Sequence, residues 1–283
     1  MRMKHVLTIC ISVVLSLNCL SFAEEDSLTG ILGASDEEVV LLEEKVTDKQ
    51  EQKIEGIRFI TGNLKGRDIV LAQTGVGKVN SAMVTTLLLE HFTPSEVIVT
   101  GLAGGINPDL LPGDIVIAEK TAQHDLGSFT PNGLQNWGVR SPIDGQRNPI
   151  FFPADARLLA LAEMSGERVR FEAIKTGDIN RIPKVITGII VTGDVFVSSS
   201  SKKHELRKQL QADAVEMEGA AVAQICWQQG VPCLVIRCLS DTADESADQD
   251  YQRFYEVAAR NSTRLVIALV EQLASSVELE SEE

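Results

Sequence analysis

The sequence predicts an α/β fold: a single domain in three layers, with a central mixed, mostly parallel β-sheet between two layers of helices. Two observations lead to this fold class. Predicted strands alternate with predicted helices, and the strands are continuous apolar runs, which is typical of a sheet buried on both faces. Two strands at residues 57–60 and 69–73 also follow each other without a helix between them, which indicates that part of the sheet is antiparallel.

The first 23 residues have the features of a signal peptide. Arg2 and Lys4 give a positive start, and residues 6–20 form an apolar run that is short for a membrane span. Residues 21–23, Ser-Phe-Ala, match the small-x-small pattern of signal-peptidase sites. We expect cleavage after Ala23 and a periplasmic or secreted domain of residues 24–283 without membrane association. An uncleaved N-terminal anchor is the alternative.

The remaining elements follow from hydrophobic periodicity and from Gly, Pro and acidic residues at their ends. The predicted strands are residues 28–34, 57–60, 69–73, 97–100, 115–118, 187–191 and 231–239. The predicted helices are one that opens at Asp36, one that ends near His91, and residues 154–164, 202–210, 219–228 and 250–273. Residues 63–66 are predicted as a turn, and residues 123–153, rich in Gly, Pro, Asn and Ser, as a long loop.

Composition argues against several classes of function. The formal net charge is −14, and because an acidic protein repels phosphate backbones we expect no nucleic-acid partner. No Cys/His cluster has the spacing of metal ligands, so we predict no metal site and no cofactor. Cys226, Cys233 and Cys238 are expected to be core thiols, with a disulfide as the alternative in an oxidising compartment.

Polar and glycine-rich segments follow the predicted strands, where ligands gather in an open α/β sheet. These segments are residues 34–38, 74–77, 101–105, 195–197, 215–218 and 240–241. Taken singly, each could serve turn geometry or place acids at a helix N-terminus. Their order along the chain is more informative.

Three motifs in sequence carry a resemblance to a known superfamily. Thr100-Gly101-x-Ala103-Gly104-Gly105, then Val215-Glu216-Met217-Glu218-Gly219-Ala220, then Arg237-x-x-Ser240-Asp241 resemble the nucleoside phosphorylase/nucleosidase superfamily. The opening Gly33-Ala34-x-x-Glu37-Glu38-Val39 is similar to that of methylthioadenosine/S-adenosylhomocysteine nucleosidases. The resemblance covers most of residues 28–273. It implies the nucleoside phosphorylase-like fold, hydrolysis of the N-glycosidic bond of 5′-modified adenine nucleosides with release of adenine, and a homodimer or larger homo-oligomer.

The resemblance assigns catalysis to Asp241, Glu38 and Arg237. Asp241 would be the acid at purine N7, oriented by Ser240, and needs a raised pKa to carry a proton. Glu38 would be the base that activates water, and Arg237 would hold Glu38 in place or neutralise part of the acidic site. The structural alternatives are an Asp that caps the turn after its strand and acids in the first turn of a helix.

The resemblance also implies a set of residues that bind the nucleoside. Glu218 would accept both ribose hydroxyls, because a carboxylate has acceptor sites for two donors. Adenine would lie against residues 196 and 197, and the 5′ substituent against residues 76 and 251. Glu216 is given no role. The full set is Glu218, Met217, Phe196, Val197, Ser240, Val76, Tyr251 and Gly104.

The nature of the acceptor separates the remaining alternatives. Residues 35–38 read Ser-Asp-Glu-Glu, with no basic residue before Lys45, and three carboxylates repel phosphate, so water is favoured. The superfamily commonly has a small polar residue where Leu102 stands, and Leu cannot help to hold the nucleophile. A phosphate-dependent purine nucleoside phosphorylase and a secreted non-catalytic nucleoside-binding or storage-like relative stay open as alternatives.

Overall fold

The computed structural model describes residues 27–176 and 179–281. The expected signal peptide lies outside the described residues. The helices are α1 (Asp36–Glu43), α2 (Lys78–Phe92), α3 (Ala156–Arg168), α4 (Ser200–Leu210), α5 (Gly219–Gln229) and α6 (Ala247–Ser281). The strands are β1 (Thr29–Gly33), β2 (Thr47–Ile54), β3 (Ile57–Leu64), β4 (Arg67–Gln73), β5 (Glu96–Thr100), β6 (Leu102–Gly105), β7 (Ile115–Gln123), β8 (Gly127–Thr130), β9 (Gly133–Asn136), β10 (Phe151–Pro153), β11 (Ile174–Thr176), β12 (Ile179–Arg181), β13 (Val185–Thr192), β14 (Ala214–Glu216) and β15 (Cys233–Asp241).

The main sheet is mixed, as predicted. Its order is β10-β7-β13-β14-β6-β15-β5-β1-β4-β3-β2. Adjacent strands are parallel in the central series β4-β1-β5-β15. Pairing is antiparallel in the β2–β3–β4 meander, between β6 and β14, and between β7 and β10. Strand β7 pairs with both β13 and β15, so five strands at one side of the sheet close into a ring.

Helices cover both faces of the sheet. Successive residues of a strand point to opposite sides, so an entirely apolar strand has two apolar faces to bury. Ile31 belongs to a buried cluster that also contains residues of α1, α3 and α6. The next residue, Leu32, belongs to a cluster that contains residues of α2 and α5. The predicted three-layer architecture is therefore confirmed.

Several elements differ from the sequence-based prediction. Strand β2 is almost entirely exposed and polar, so it lacks the apolar signal on which strand prediction depends. Residues 123–153, predicted as a loop, contain the hairpin β8–β9 and the edge strand β10. The turn at residues 63–66 is confirmed, with Lys65 and Gly66 at φ values of 56° and 89°, as a two-residue hairpin turn requires.

The three described cysteines, Cys226, Cys233 and Cys238, are free and buried, as predicted. In residues 27–176 and 179–281, no helix combines the length and the apolar character that crossing a membrane would require.

Candidate active site

A cavity of about 350 Å³ opens beside β6, at the carboxyl ends of β1, β14 and β15. Parallel pairing of β1 with β5 and of β5 with β15 places these strand ends at one edge of the sheet. The cavity is lined by Ala34, Ser35, Glu38, Val76, Leu102, Ala103, Gly104, Phe196, Val215, Glu216, Met217, Glu218, Ser240, Asp241, Asp248, Tyr251 and Gln252. Three carboxyl groups that are distant in sequence, those of residues 38, 218 and 241, therefore share one cavity.

Glu38 is held by backbone amides at the start of α1. Its Oε2 accepts the N–H groups of Ala34 (2.6 Å) and Ser35 (3.1 Å), and Oε1 accepts that of Leu102 at 3.2 Å. The bond from Ser35, the residue before the helix, is part of an N-terminal cap. Burial raises the pKa of Glu38 against the opposing effect of Arg237 and these amides. Since Oε1 accepts from one donor among the described residues, the Leu102 N–H, it keeps acceptor capacity toward the cavity.

Asp241 ends β15 in a different environment. Its Oδ1 accepts the N–H of Ala243 at 2.8 Å, and its Oδ2 accepts the hydroxyl of Ser240 at 2.8 Å. The Ser240 hydroxyl also lies 3.3 Å from the carbonyl oxygen of Ala103. The residue is 1% exposed, and burial raises the pKa of its carboxyl group. Because Oδ1 is occupied by an amide donor, a proton on this carboxyl group belongs on Oδ2.

Glu218 stands at the N-cap of α5, but its side chain does not cap the helix. Its Oε1 accepts the N–H of Gly77 at 2.9 Å, and its Oε2 lies 3.4 Å from Nη2 of Arg237. Burial and the neighbouring Glu216 raise its pKa to about 7. This carboxylate therefore connects the start of α5 with the loop before α2, on the cavity wall.

Arg237 lies behind the cavity wall and is fully buried. Its Nε donates to Oε2 of Glu216 at 3.1 Å, its Nη2 donates to the same oxygen, and its Nη1 donates to the carbonyl oxygen of Thr100 at 2.6 Å. Within the described residues no hydrogen bond joins Arg237 to Glu38. The positive charge of the guanidinium group acts on Glu38 through space. Of the two roles expected for Arg237, the geometry therefore supports partial neutralisation of the acidic site and not a direct contact that holds Glu38 in place.

Most of the other nucleoside-binding residues predicted from the sequence line the cavity. Phe196 and Tyr251 make an edge-on contact with ring centroids 6.4 Å apart. Val197 is the exception: its side chain is 7% exposed and packs in a core cluster with Ile106 and Val191, away from the lining. Adjacent residues in an extended segment point to opposite sides, so Phe196 and Val197 do not both bracket a ligand with their side chains. The predicted residues on the lining are Met217, Phe196, Ser240, Val76, Tyr251 and Gly104.

Gly104 is required by the close approach of Asp241. A Cβ atom at residue 104 would lie 2.8 Å from Oδ1 of Asp241 and 3.0 Å from Cβ of Ala243. Gly101 is constrained similarly, with φ of 151° and a hypothetical Cβ atom 2.1 Å from Nη1 of Arg237. The glycine-rich motif therefore lets the backbone pass directly beside the carboxyl group of Asp241 and the guanidinium group of Arg237.

The sequence analysis missed three polar residues of the cavity: Glu216, Asp248 and Gln252. Asp248 and Gln252 lie in the first turns of α6, where acids commonly serve the helix dipole, so nothing in the pattern marks them. Glu216 had a usable signal. A buried Arg in an apolar strand requires a buried acid as partner, and Glu216 follows an apolar pair at a strand end.

The lining is acidic. It contains five carboxyl groups, those of residues 38, 216, 218, 241 and 248, and among its described residues none is Lys, Arg or His. An anion such as phosphate would meet these carboxylates without a facing cation. The cavity is therefore suited to a neutral ligand with hydroxyl donors and to a water molecule.

Comparisons with known proteins agree with this geometry. A protein of Anoxybacillus flavithermus named 5′-methylthioadenosine/S-adenosylhomocysteine nucleosidase is 40% identical over 244 residues, covering 86% of this chain and 97% of its own. The structure of such a nucleosidase from Colwellia psychrerythraea in complex with adenine is 36% identical, covers 87% of this chain and 96% of its own, and has a TM-score of 0.75. The futalosine hydrolase of Helicobacter pylori is 31% identical, covers 87% and 98%, and has a TM-score of 0.74.

The family model of the phosphorylase superfamily matches residues 29–271, which include every cavity-lining residue. Together with the sheet and the order of the three motifs along its edge, this match shows that the chain belongs to the phosphorylase superfamily.

Proposed function

We propose that this chain hydrolyses the N-glycosidic bond of adenine nucleosides modified at the 5′ position, of the methylthioadenosine/S-adenosylhomocysteine type, and releases adenine. The observation that carries the proposal is one cavity in which three buried carboxyl groups have three different surroundings. The names of the relatives reported above support the same reaction.

Asp241 protonates the leaving base. Cleavage leaves negative charge on the purine, and a proton delivered to N7 removes that charge in the transition state. Burial keeps the pKa of Asp241 raised, and Oδ2 is the oxygen that carries the proton. Ser240 fixes the orientation of that oxygen through its hydroxyl group.

Glu218 binds the ribose and stabilises the positive charge that develops on it. Its ionised carboxylate accepts hydroxyl donors and places negative charge beside an oxocarbenium-like sugar. The Gly77 N–H fixes one oxygen, which sets the direction of the carboxylate. Met217, the preceding residue, also lines the cavity and lies against the sugar.

Glu38 activates the attacking water. Two amides hold Oε2, whereas Oε1 accepts one weaker amide bond and keeps a lone pair for water. The raised pKa of Glu38 makes it a stronger base than an exposed carboxylate once it is ionised. The acidic lining favours water over phosphate as the acceptor.

The test is a panel of adenine nucleosides with different 5′ groups, incubated with and without inorganic phosphate, with free adenine measured by chromatography. The proposal predicts equal adenine release in both buffers and no sugar 1-phosphate. Release only with phosphate would instead establish a phosphorylase. Nucleoside binding in a thermal-shift assay without adenine release would establish a non-catalytic binding protein.

We further infer that the chain is exported and cleaved after Ala23, on the basis of Arg2, Lys4, the apolar run at residues 6–20 and the Ser-Phe-Ala site. N-terminal sequencing of the protein recovered outside the cytoplasm should begin at Glu24. A sequence that begins at Met1 would contradict cleavage.

We also infer a homodimer or larger homo-oligomer. Apolar side chains are exposed beside the cavity, where Val76 lies on its rim and Val79 and Met83 follow on α2, and Phe129 is 87% exposed on the β8–β9 hairpin. Light scattering coupled to size-exclusion chromatography should give at least twice the mass of one chain. A monomer at micromolar concentration would contradict this inference.

A further inference from the structure

We propose that Glu216, to which the proposed reaction assigns no part, is a positioning residue that holds Arg237 away from Glu38 and leaves the carboxylate of Glu218 free for the ribose. The inference rests on the proposed function. It concerns a buried acid at the end of β14 that the sequence analysis left without a role.

Glu216 has an unusually large set of donors for a side chain that is 1% exposed. Its Oε2 accepts the N–H of Glu218 at 3.0 Å, the N–H of Gly219 at 2.7 Å and two N–H groups of Arg237. Its Oε1 accepts the hydroxyl of Thr192. Every one of these partners is a donor, which matches the two acceptor oxygens of a carboxylate.

The first consequence concerns the start of α5. Glu216 accepts the amides of the N-cap residue Glu218 and of Gly219, while the hydroxyl oxygen of Thr192 accepts the N–H of Ala220 at 2.8 Å. A helix needs partners for its first amides, which a Ser, Thr, Asp or Asn at the N-cap commonly provides, whereas the N-cap residue Glu218 makes no such bond. Here the side chains of Glu216 and Thr192 accept the first backbone N–H groups of α5. The carboxylate of Glu218 is therefore not needed as a helix cap and faces the cavity.

The second consequence concerns charge. Arg237 is the fully buried cation behind three carboxylates, and it forms its closest ion pair with Glu216. Its distance to Glu218 is 3.4 Å, and it donates its remaining hydrogen bond to the Thr100 carbonyl oxygen. Because Glu216 retains the guanidinium, Glu38 and Glu218 are only partly neutralised. Glu38 therefore stays basic enough to activate water.

The groups that act electrostatically on Glu38 and Glu216 come from several elements. They are Arg237 on β15, Glu218 at the start of α5, Tyr251 and Tyr255 on α6, and His124 after β7. Arg237 is the only cation in this set, so its position determines the direction in which the titration of Glu38 moves.

The experiment compares the pH dependence of adenine release in two variants. In Glu216→Gln the guanidinium loses its ion pair and turns toward Glu38 and Glu218. The acid limb of the kcat profile should move at least about 0.5 pH units lower, and KM should rise about tenfold, because Arg237 then competes for Glu218. In Arg237→Gln the cation is absent, so the same limb should move to higher pH. A positioning role predicts these opposite shifts together with the rise in KM of Glu216→Gln, and an unchanged KM in that variant or unshifted limbs in both variants would overturn it.

Thr192→Val is the matched control, because it removes a neutral partner of Glu216 and leaves every charge in place. It should lower the melting temperature without moving the acid limb. If Glu216→Gln does not fold, Glu216→Asp keeps the charge but withdraws the carboxylate by one methylene. It should raise KM about tenfold and move the acid limb to lower pH by less than Glu216→Gln does, and an unchanged KM would refute the inference. Absence of adenine release by the parent protein would refute the proposed function instead, independently of these variants.

Discussion

Replacement of Asp241 by Asn tests the general acid without disturbing the fold. The amide oxygen can keep the bond from the Ala243 N–H at 2.8 Å. The amide nitrogen then lies 2.8 Å from Oγ of Ser240, whose own hydrogen can turn to the Ala103 carbonyl oxygen 3.3 Å away. No buried polar group is left without a partner, so the free energy of unfolding should change by less than about 1 kcal/mol.

The chemical effect should be much larger than the structural one. An amide can donate a hydrogen bond to purine N7 but cannot transfer a proton to it. General acid catalysis typically contributes a factor of about 10² to 10⁴, so the barrier should rise by about 3 to 5 kcal/mol. Single-turnover adenine release, followed by chromatography in phosphate-free buffer, measures this loss. Activity within fivefold of the parent protein would refute the role of Asp241 as the acid.

Asp244→Asn is the matched control. Asp244 lies three residues further along the chain, does not line the cavity, and accepts the Thr242 hydroxyl and the Ser246 N–H. Adenine release by this variant should stay within about threefold of the parent.

A second measurement uses the raised pKa of Asp241, because the stability that a protonated buried Asp contributes is lost as the pH rises through its folded pKa. Asp241→Asn should therefore gain stability relative to the parent protein as the pH increases, and a constant difference would contradict burial of the protonated acid.

Four other outcomes follow from the same geometry. Glu38→Gln removes the base but keeps an oxygen that accepts the amides of residues 34 and 35. Adenine release, measured by chromatography, should therefore fall at least about 10²-fold. A loss under fivefold would exclude Glu38 as the base. Glu218 has a pKa of about 7 and binds hydroxyls when ionised, so KM should rise as the pH falls below 7, and a KM independent of pH would contradict this. Gly101→Ala places a Cβ atom 2.1 Å from Nη1 of Arg237. The variant should lower the free energy of unfolding by about 3 kcal/mol, measured by denaturant unfolding. An unchanged midpoint of the denaturant transition would show that the guanidinium can move. Leu102→Ser adds a hydroxyl on the cavity wall and should raise kcat about twofold to tenfold, whereas a lower kcat would mean that the apolar wall itself assists the reaction.

The parts of the fold that the sequence predicted are those with strong apolar signals. Strands β1, β4, β5 and β15 are fully or almost fully buried runs, and their carboxyl ends defined the edge of the sheet where Glu38, Glu218 and Asp241 meet. The polar strand β2 carries no such signal because its side chains are solvated on both faces. Its strand structure comes from pairing with β3, a tertiary contact that local sequence does not encode.

The candidate site shows the same limit at the level of single residues. Motif order located the acids, but it did not show which of them pairs with Arg237. That pairing depends on the antiparallel contact of β14 with β6 and the parallel contact of β6 with β15, which bring Glu216 beside Arg237 across distant parts of the chain. The burial of Val197 likewise depends on the packing of β13 and α4 around it.

The most direct test of the account is a crystal structure with a non-hydrolysable adenine nucleoside analogue. We expect purine N7 at about 2.6 to 3.2 Å from Oδ2 of Asp241, the ribose hydroxyls on Glu218, and a water molecule on Oε1 of Glu38 at the opposite face of the sugar. A nucleoside whose purine lies away from Asp241, or an anion bound in place of the water on Glu38, would contradict the account.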